Sequence, residues 1–309
     1  MLKRLLWSIS TQDEHRKQIT IKKNKYMART ASMKIWNVEL GLAVHIKAPN
    51  GRYIVIDLGS TNNISPLRSL YRKDVGYMII THPHLDHFSD IQNIDYARPQ
   101  ILSRCKDYSR YELLEGARDC DKDKIIQYCN FSESYSFPVP PQMDPRTSTP
   151  FDGLTVNVFD FSPNDKTNKN NFSSIVVLKL GNAKIVICGD NEKESFENLM
   201  KRTDFKEAVK GAWALVAPHH GRESGYYQEF VNLVNPDITI ISDKKGVETS
   251  AVQKYSEHSK GYKVYNIDTG VTENRKCLTT RYDGNIEVVF GETDMLGSEG
   301  TFYIKTHTK

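Results

Sequence analysis

Tyr77-Met78-Ile79-Ile80-Thr81-His82-Pro83-His84-Leu85-Asp86-His87 runs a short apolar stretch straight into three histidines and an aspartate. The apolar part reads as a buried strand, since it is short, continuous and bounded by a polar turn. In extended chain, residues two apart point the same way, so His82 and His84 can hold one cation together. Asp86 and His87 follow as the loop turns and can face a second cation beside the first. Imidazole and carboxylate donors suit Zn²⁺, and Mn²⁺ as well. A lone histidine is usually a core or surface residue. Three histidines and an aspartate clustered directly behind a buried strand are hard to explain as packing.

Two later stretches take the same form. Lys184-Ile185-Val186-Ile187-Cys188-Gly189-Asp190 is an apolar strand ending in Gly-Asp. A carboxylate there can bridge two cations and fix them about 3.5–4 Å apart. Ala214-Leu215-Val216-Ala217-Pro218-His219-His220-Gly221 is another apolar strand, ending in adjacent histidines. Taken alone, Gly-Asp is a common turn and His-His-Gly a tight one. Three strands that each deliver His or Asp at the C-terminal end form a coherent set.

The surrounding sequence alternates strands with helices. Lys34–Ile46 and Arg52–Gly59 read as strands joined by a hairpin at Pro49-Asn50-Gly51, the second ending in Asp57-Leu58-Gly59. Ser89 to Cys129 shows mixed helical periodicity with many charges. The stretch from Phe137 to Pro150 holds five prolines and is expected to be a loop, placed to act as a flap. Leu154–Phe159 and Ser174–Leu180 are strand-like, as are Asp237–Ser242 and Lys263–Asn266. Helices are expected at Glu192–Lys201, Tyr226–Val234 and Thr249–Ser259. Cys277–Arg281 and Asn285–Phe290 read as a closing hairpin across Asp283-Gly284. Two strand-rich halves, each followed by helices, predict an α/β fold in which two sheets pack together and are covered outside.

Composition narrows the class. At 309 residues with 39% hydrophobic and 26% charged content, the chain can bury a full core. No apolar run approaches the roughly 18 residues of a membrane span. Met1 to Ser10 lacks an adequate apolar region and cleavage site, so neither a signal peptide nor an anchor is expected. Five scattered cysteines with no CxxC pair fit a reducing cytoplasm better than a disulfide framework. The first 34 residues carry nine lysines and arginines against Asp13 and Glu14, within a chain of formal charge +4. Residues 1–32 therefore read as a basic extension, disordered in part, and 33–309 as the folded domain. Such an arm can bind nucleic acid through phosphates; a plain solvated leader explains it equally well.

The order of strand with Asp57-Leu58-Gly59, then His-x-His-x-Asp-His, then Gly-Asp, then Pro-His-His-Gly resembles the metallo-β-lactamase superfamily. More narrowly, it resembles the hydrolase domain of the competence-type ComEC branch. Asn170-Asn171-Phe172-Ser173-Ser174-Ile175 and Arg281-Tyr282-Asp283-Gly284-Asn285-Ile286 add to the likeness, which spans roughly Met33 to Phe290. The resemblance implies an αββα sandwich of two mixed β-sheets with helices on the outer faces and the metals at one edge. It implies metal ligation by His82, His84, Asp86, His87 and Asp190, plus one of His219 and His220, with His220 favoured. It also implies that Asp57 orients the ligand loop from behind. Three departures stand out. The further metal-binding histidine of many superfamily members has no match in Asn170–Ser174. His84 stands where competence-type chains often have Asp, and their Gly-His-Pro motif is absent near Ser242–Val252.

The chemistry expected is hydrolysis by a hydroxide generated on two divalent cations, Zn²⁺ or Mn²⁺. Asp86 and Asp190 hold the centre, while His219 and Glu192 position substrate or protonate the leaving group. Glu192 has an equally good reading as a first-turn helix acid. Phosphodiesters rank first as substrate, whether DNA, RNA or a small nucleotide, with no membrane partner. A small-molecule ester, lactone or thioester is the alternative, and a non-catalytic metal-binding module the third reading. Tyr226 and Tyr227 either stack on a base or pack the start of a helix.

Overall fold

The computed structural model describes residues 29–146, 148, 150–246, 250–292 and 302–307. Among these, fifteen strands form two mixed sheets. The nine-stranded sheet runs β12 (Thr272–Arg275), β11 (Tyr262–Asn266), β15 (Phe302–His307), β14 (Asn285–Gly291), β1 (Thr30–Ile35), β2 (Val44–Lys47), β3 (Tyr53–Ile56), β4 (Val75–Ile80) and β5 (Ile101–Arg104). The six-stranded sheet runs β13 (Cys277–Thr279), β10 (Ile238–Ile241), β9 (Ala214–Val216), β8 (Ala183–Ile187), β7 (Ile175–Leu180) and β6 (Thr155–Phe159).

The apolar strands are buried on both faces, and alternation assigns each residue to a layer. Ile54, Ile56, Tyr77 and Ile79 point inward to meet Val176, Leu178, Ile185 and Ile187 across the sandwich. Their neighbours Val55, Met78 and Ile80 point outward beneath Phe88, Tyr128 and Phe131, and the helix Asp119–Glu133 stacks Tyr128 on Phe88 at 4.4 Å. On the far side Val177, Val186 and Leu215 lie under Phe196, Phe205 and Phe230, carried by the helices Lys193–Leu199, Thr203–Val209 and Gln228–Val234. The order helix, sheet, sheet, helix is the αββα sandwich expected.

Several expectations change in detail. The reading of Ser89–Cys129 as helical missed β5, which pairs in parallel with β4 from Tyr77↔Ile101 to Ile80↔Arg104. β12 and β15 were also missed. The closing hairpin does not form: β13 lies in the six-stranded sheet beside β10, and β14 lies in the other sheet between β1 and β15. The helix Thr280–Asp283 carries the chain from one sheet to the other. The turn signal at Asp283-Gly284 was sound, but a turn does not say which sheet receives the next strand. The boundary at Met33 falls inside β1, where Thr30, Ala31 and Ser32 pair with Gly291, Phe290 and Val289. Arg29 also pairs with Glu292 through Nη2 and, at 3.0 Å, through Nε. The folded part thus includes residue 29, and the rest of the basic extension lies outside the described residues.

Among the described residues no helix is long and apolar enough to cross a membrane, and all five cysteines are unbridged.

Candidate metal centre

Three parallel neighbours, β8, β9 and β10, end beside β4 at one rim of the sandwich, and their following loops carry the polar groups. The loop after β4 begins with Thr81, whose amide and hydroxyl both donate to Asp57 at 2.7 Å. Asp57 follows β3 with a φ of 57° and is fully buried. That left-handed backbone turns its carboxylate under the loop, where Oδ2 accepts from Nδ1 of His87 at 2.7 Å. His87 therefore faces the rim with Nε2. Thr81 Oγ lies 3.2 Å from Nδ1 of His82 and, as it donates to Asp57, is free to accept there, which turns Nε2 of His82 to the same side.

Gly189 positions Asp190. Its φ is 54°, and a Cβ there would stand 2.9 Å from the Cβ atoms of Ser173 and Thr81. The Asp190 amide donates to Ser173 Oγ at 2.9 Å. His219 and His220 have φ values of 46° and 54°, a costly conformation for two successive non-glycine residues. It separates their rings. His220 donates from Nδ1 to the Ser242 carbonyl at 3.0 Å and aims Nε2 at the centre, whereas His219 turns to Ser224 and Glu192, both 2.8 Å from its Nδ1.

The six proposed ligands converge. Asp86, His87, Asp190 and His220 form one group and His82, His84 and Asp190 a second, each with its donor atoms within 4.8 Å of one another. Asp190 is common to both. Its oxygens lie 3.1 Å from His87 Nε2, 3.4 Å from His220 Nε2 and 3.7 Å from His82 Nε2. His220 Nε2 is also 3.4 Å from Asp86, and His84 Nδ1 is 2.9 Å from His82 Nε2. His87 Nε2, His220 Nε2 and Asp190 Oδ1 are buried yet make no hydrogen bond. Leaving such atoms unsatisfied costs about 1–3 kcal/mol each, and a shared divalent cation is the partner that imidazole nitrogens and carboxylate oxygens jointly fit.

Electrostatics agree with a cation-binding cluster. Burial works against the charge on Asp190, but His220, His87 and His82 hold its carboxyl well below the usual range. Burial lowers His82 and His84. Burial opposes protonation of His220 too, but Asp190 and Asp86 raise it to about 9. His87 is likewise raised, by Asp190 and Asp57 against burial.

Glu192 directly precedes the helix Lys193–Leu199, but its side chain makes no capping hydrogen bond and turns into the rim instead; the acid in the helix's first turn is Glu194. Glu192 accepts from Asn168 at 2.7 Å and Asn170 at 3.0 Å, and pairs with His219. His219, set against burial, holds its carboxyl down at about 2. Arg222 stands 3.1 Å from the other nitrogen of His219. The two asparagines, Ser224, Arg222 and Ser242 went unassigned in the sequence. Only the Asn-rich stretch before β7 gave a signal, and it pointed to the motif rather than to a contact. Tyr226 and Tyr227 belong to packing: Tyr226 lies edge-on to Tyr255 at 5.1 Å, and Tyr227 stacks over Phe196. The proline-rich stretch covers a cavity of about 430 Å³ lined by Tyr77, Leu102, Arg104 and Lys106, which includes none of the six ligands.

No curated protein matches the sequence. Among solved structures, the metallo-β-lactamase fold protein YhfI from Bacillus subtilis matches at 11% identity and a TM-score of 0.45, over 84% of this chain and 100% of its own. The CmlA β-hydroxylase matches at 11% identity and a TM-score of 0.48, over 84% of this chain and 54% of its own. Zn²⁺-bound PqqB from Methylobacterium extorquens matches at 10% identity and a TM-score of 0.35, over 77% of this chain and 76% of its own. The family model of the metallo-β-lactamase superfamily matches residues 37–242, which contain β2 through β10 and all six clustered ligands. With two thirds of its length under that model and its strand ends meeting as described, the chain belongs to the metallo-β-lactamase superfamily.

Proposed function

We propose that the protein is a hydrolase of phosphodiesters working through two divalent cations, Zn²⁺ or Mn²⁺, held by His82, His84, Asp86, His87, Asp190 and His220. The observation that carries this reading is the placement of Asp190 within both donor groups, with buried nitrogens and oxygens that lack any hydrogen bond. Cations so held supply positive charge that activates water and offsets charge developing on a phosphoryl oxygen. The remaining work falls to the protein's own side chains. Asp57, Thr81 and Ser242 fix which nitrogen of His87, His82 and His220 faces the rim. His219 sits beside the ligands without joining either group, anchored by Glu192 and Ser224. We read it as a substrate-positioning group, fixed by Glu192 on Nδ1 and by Arg222, which donates to its Nε2. Arg222 on its other nitrogen adds a positive charge that suits an anionic substrate.

Phosphodiesters are favoured over carboxyl esters by the Arg222 guanidinium beside His219, which suits an anionic substrate. The competence-type branch and a reducing cytoplasm are our reading of the motif set and of the unbridged cysteines. Turnover of bis-p-nitrophenyl phosphate, a lactone and single-stranded DNA should be compared with Zn²⁺ and with Mn²⁺. Diester turnover that falls by about a thousandfold or more in Asp190→Asn, together with bound metal dropping from two equivalents to one or fewer, is the expected result. Lactone turnover without diester turnover would move the assignment to the ester class. Metal uptake without turnover would leave a binding module.

A further inference from the structure

We propose that the outer face of the nine-stranded sheet carries a second binding site, a cavity of about 280 Å³ that takes a small aryl carboxylate. The inference is independent of the hydrolase reading, because none of the six ligands lines this cavity. Strand alternation builds its floor. Met33, Ile46, Ile54 and Val288 belong to the core between the sheets, so the residues on either side of them face out. Glu287, Lys34 and His45 stand opposite one another in one row, and Val289, Ser32, Lys47 and Tyr53 in the next. Trp36 follows two places after Lys34, and Ser69 and Leu70, from the helical turn Pro66–Leu70, complete the wall.

Two polar atoms here have nothing to bond. Nε2 of His45, a residue only 5% exposed, and Nε1 of Trp36 are buried and make no hydrogen bond, although both residues line the cavity. Native folds leave few such atoms. An indole N–H can only donate, so its missing partner is an acceptor. His45, kept neutral by burial and by Lys34, has one N–H and one lone pair to offer. Charge narrows the acceptor to an anion. Lys34 lies 3.9 Å over the Trp36 ring and pairs with Glu287 at 3.8 Å. Lys47 is exposed and has no acidic partner among the described residues. Two ammonium groups against one carboxylate leave room for a second carboxylate. Trp36, Tyr53 and Leu70 supply an apolar bed for a ring attached to it, and the volume lies at the small end of ligand clefts, roughly 300–1,000 Å³. Lys34 is also the movable cover on the indole, since drawing its ammonium to the incoming carboxylate opens the way to Trp36.

The test is a ligand-observed NMR titration of the full chain with 3-phenylpropionate and its uncharged analogue 3-phenylpropanamide. The acid should bind with a Kd of about 1 mM or tighter, as its size allows, and the amide about tenfold more weakly. Trp36→Phe keeps a ring and removes the N–H, and Lys47→Glu alters an exposed side chain; each should weaken binding of the acid about tenfold. Lys122→Glu, on the outer helix Asp119–Glu133, serves as a charge control and should stay within about twofold of the wild type. Carboxylates also bind metals, so Asp190→Asn is a second control, and it should leave the affinity within about twofold. Wild-type protein that does not bind the acid, or that binds the amide equally well, overturns the proposal. So do Trp36→Phe and Lys47→Glu variants that bind the acid as the wild type does. Binding lost in Asp190→Asn and kept in Lys47→Glu would place the acid at the metal centre, which overturns it too.

Discussion

Asp57 touches none of the atoms that would meet a substrate, yet it sets the geometry of the centre. Three donors from Thr81 and His87 reach one fully buried carboxylate. Burial raises its pKa, and the His87 and Thr81 contacts work against that shift. Asp57→Asn should lower metal affinity about 10–100-fold, because the amide can no longer accept from both Thr81 Oγ and the His87 ring as a carboxylate does. Competition with a fluorescent chelator measures this, and unchanged affinity would show that Thr81 and packing hold His87 unaided. The role of Asp57 was legible only through the resemblance, whose motif order begins with a strand ending in Asp57-Leu58-Gly59; the structure sets that strand beside the one carrying the histidines. The pairing of Glu192 with His219 was not. Twenty-seven positions separate them, and what joins them is the left-handed backbone at His219 and His220, which no residue type there announces.

At the level of elements, β2 holds a titratable group with a clear pH signature. His45 points to the outer face of its strand, away from Ile46 and the core, and is 5% exposed beside Trp36. Burial, helped by Lys34, pushes its pKa down to about 3. The folded protein therefore keeps His45 neutral, while the unfolded chain takes up a proton once pH falls below about 6.5. The sign follows: this contribution is whole above pH 6.5 and is lost as pH falls toward 3. Between pH 7 and pH 5 the wild type should lose about 2 kcal/mol more stability than His45→Gln, measured by urea unfolding. Equal losses would mean that His45 finds water in the native state.

Among the strands that sequence reading recovered, β3, β4, β7, β8, β9 and β10 are largely apolar runs buried on both faces, while β6, β11 and β14 were found from strand-like residues between turn signals. Two of the strands it missed, β5 and β12, are of another kind. β5 is four residues ending in Ser103 and Arg104, and β12 is Thr-Glu-Asn-Arg. These pair at or near a sheet edge, where backbone hydrogen bonds decide the outcome and side-chain pattern says little. The same contrast explains the site. Its ligands end recoverable strands, whereas Asn168, Ser224 and Ser242 sit in loops whose approach depends on the packed whole.

For the molecule as a whole, the position of β1 matters most. It lies between β2 and β14, and its partners in β14 are some 250 residues distant in sequence. A protein beginning at Met33 would lose the pairs of Thr30, Ala31 and Ser32 and the Arg29–Glu292 ion pair. Its melting temperature should fall by about 5 °C relative to one beginning at Arg29, with a calorimetric scan as the check. Equal melting would place the edge of the cooperative unit at Met33 after all.

Because β14 lies some 250 residues beyond β1, β1 must wait until that stretch has been made with one side of its backbone unpaired. The larger sheet is therefore slow to close, as expected where pairing joins distant parts of a chain. Nascent chains stopped short of Asn285 would present β1 as an open edge, and such fragments should be the species that chaperones capture and that aggregate when chaperones fail.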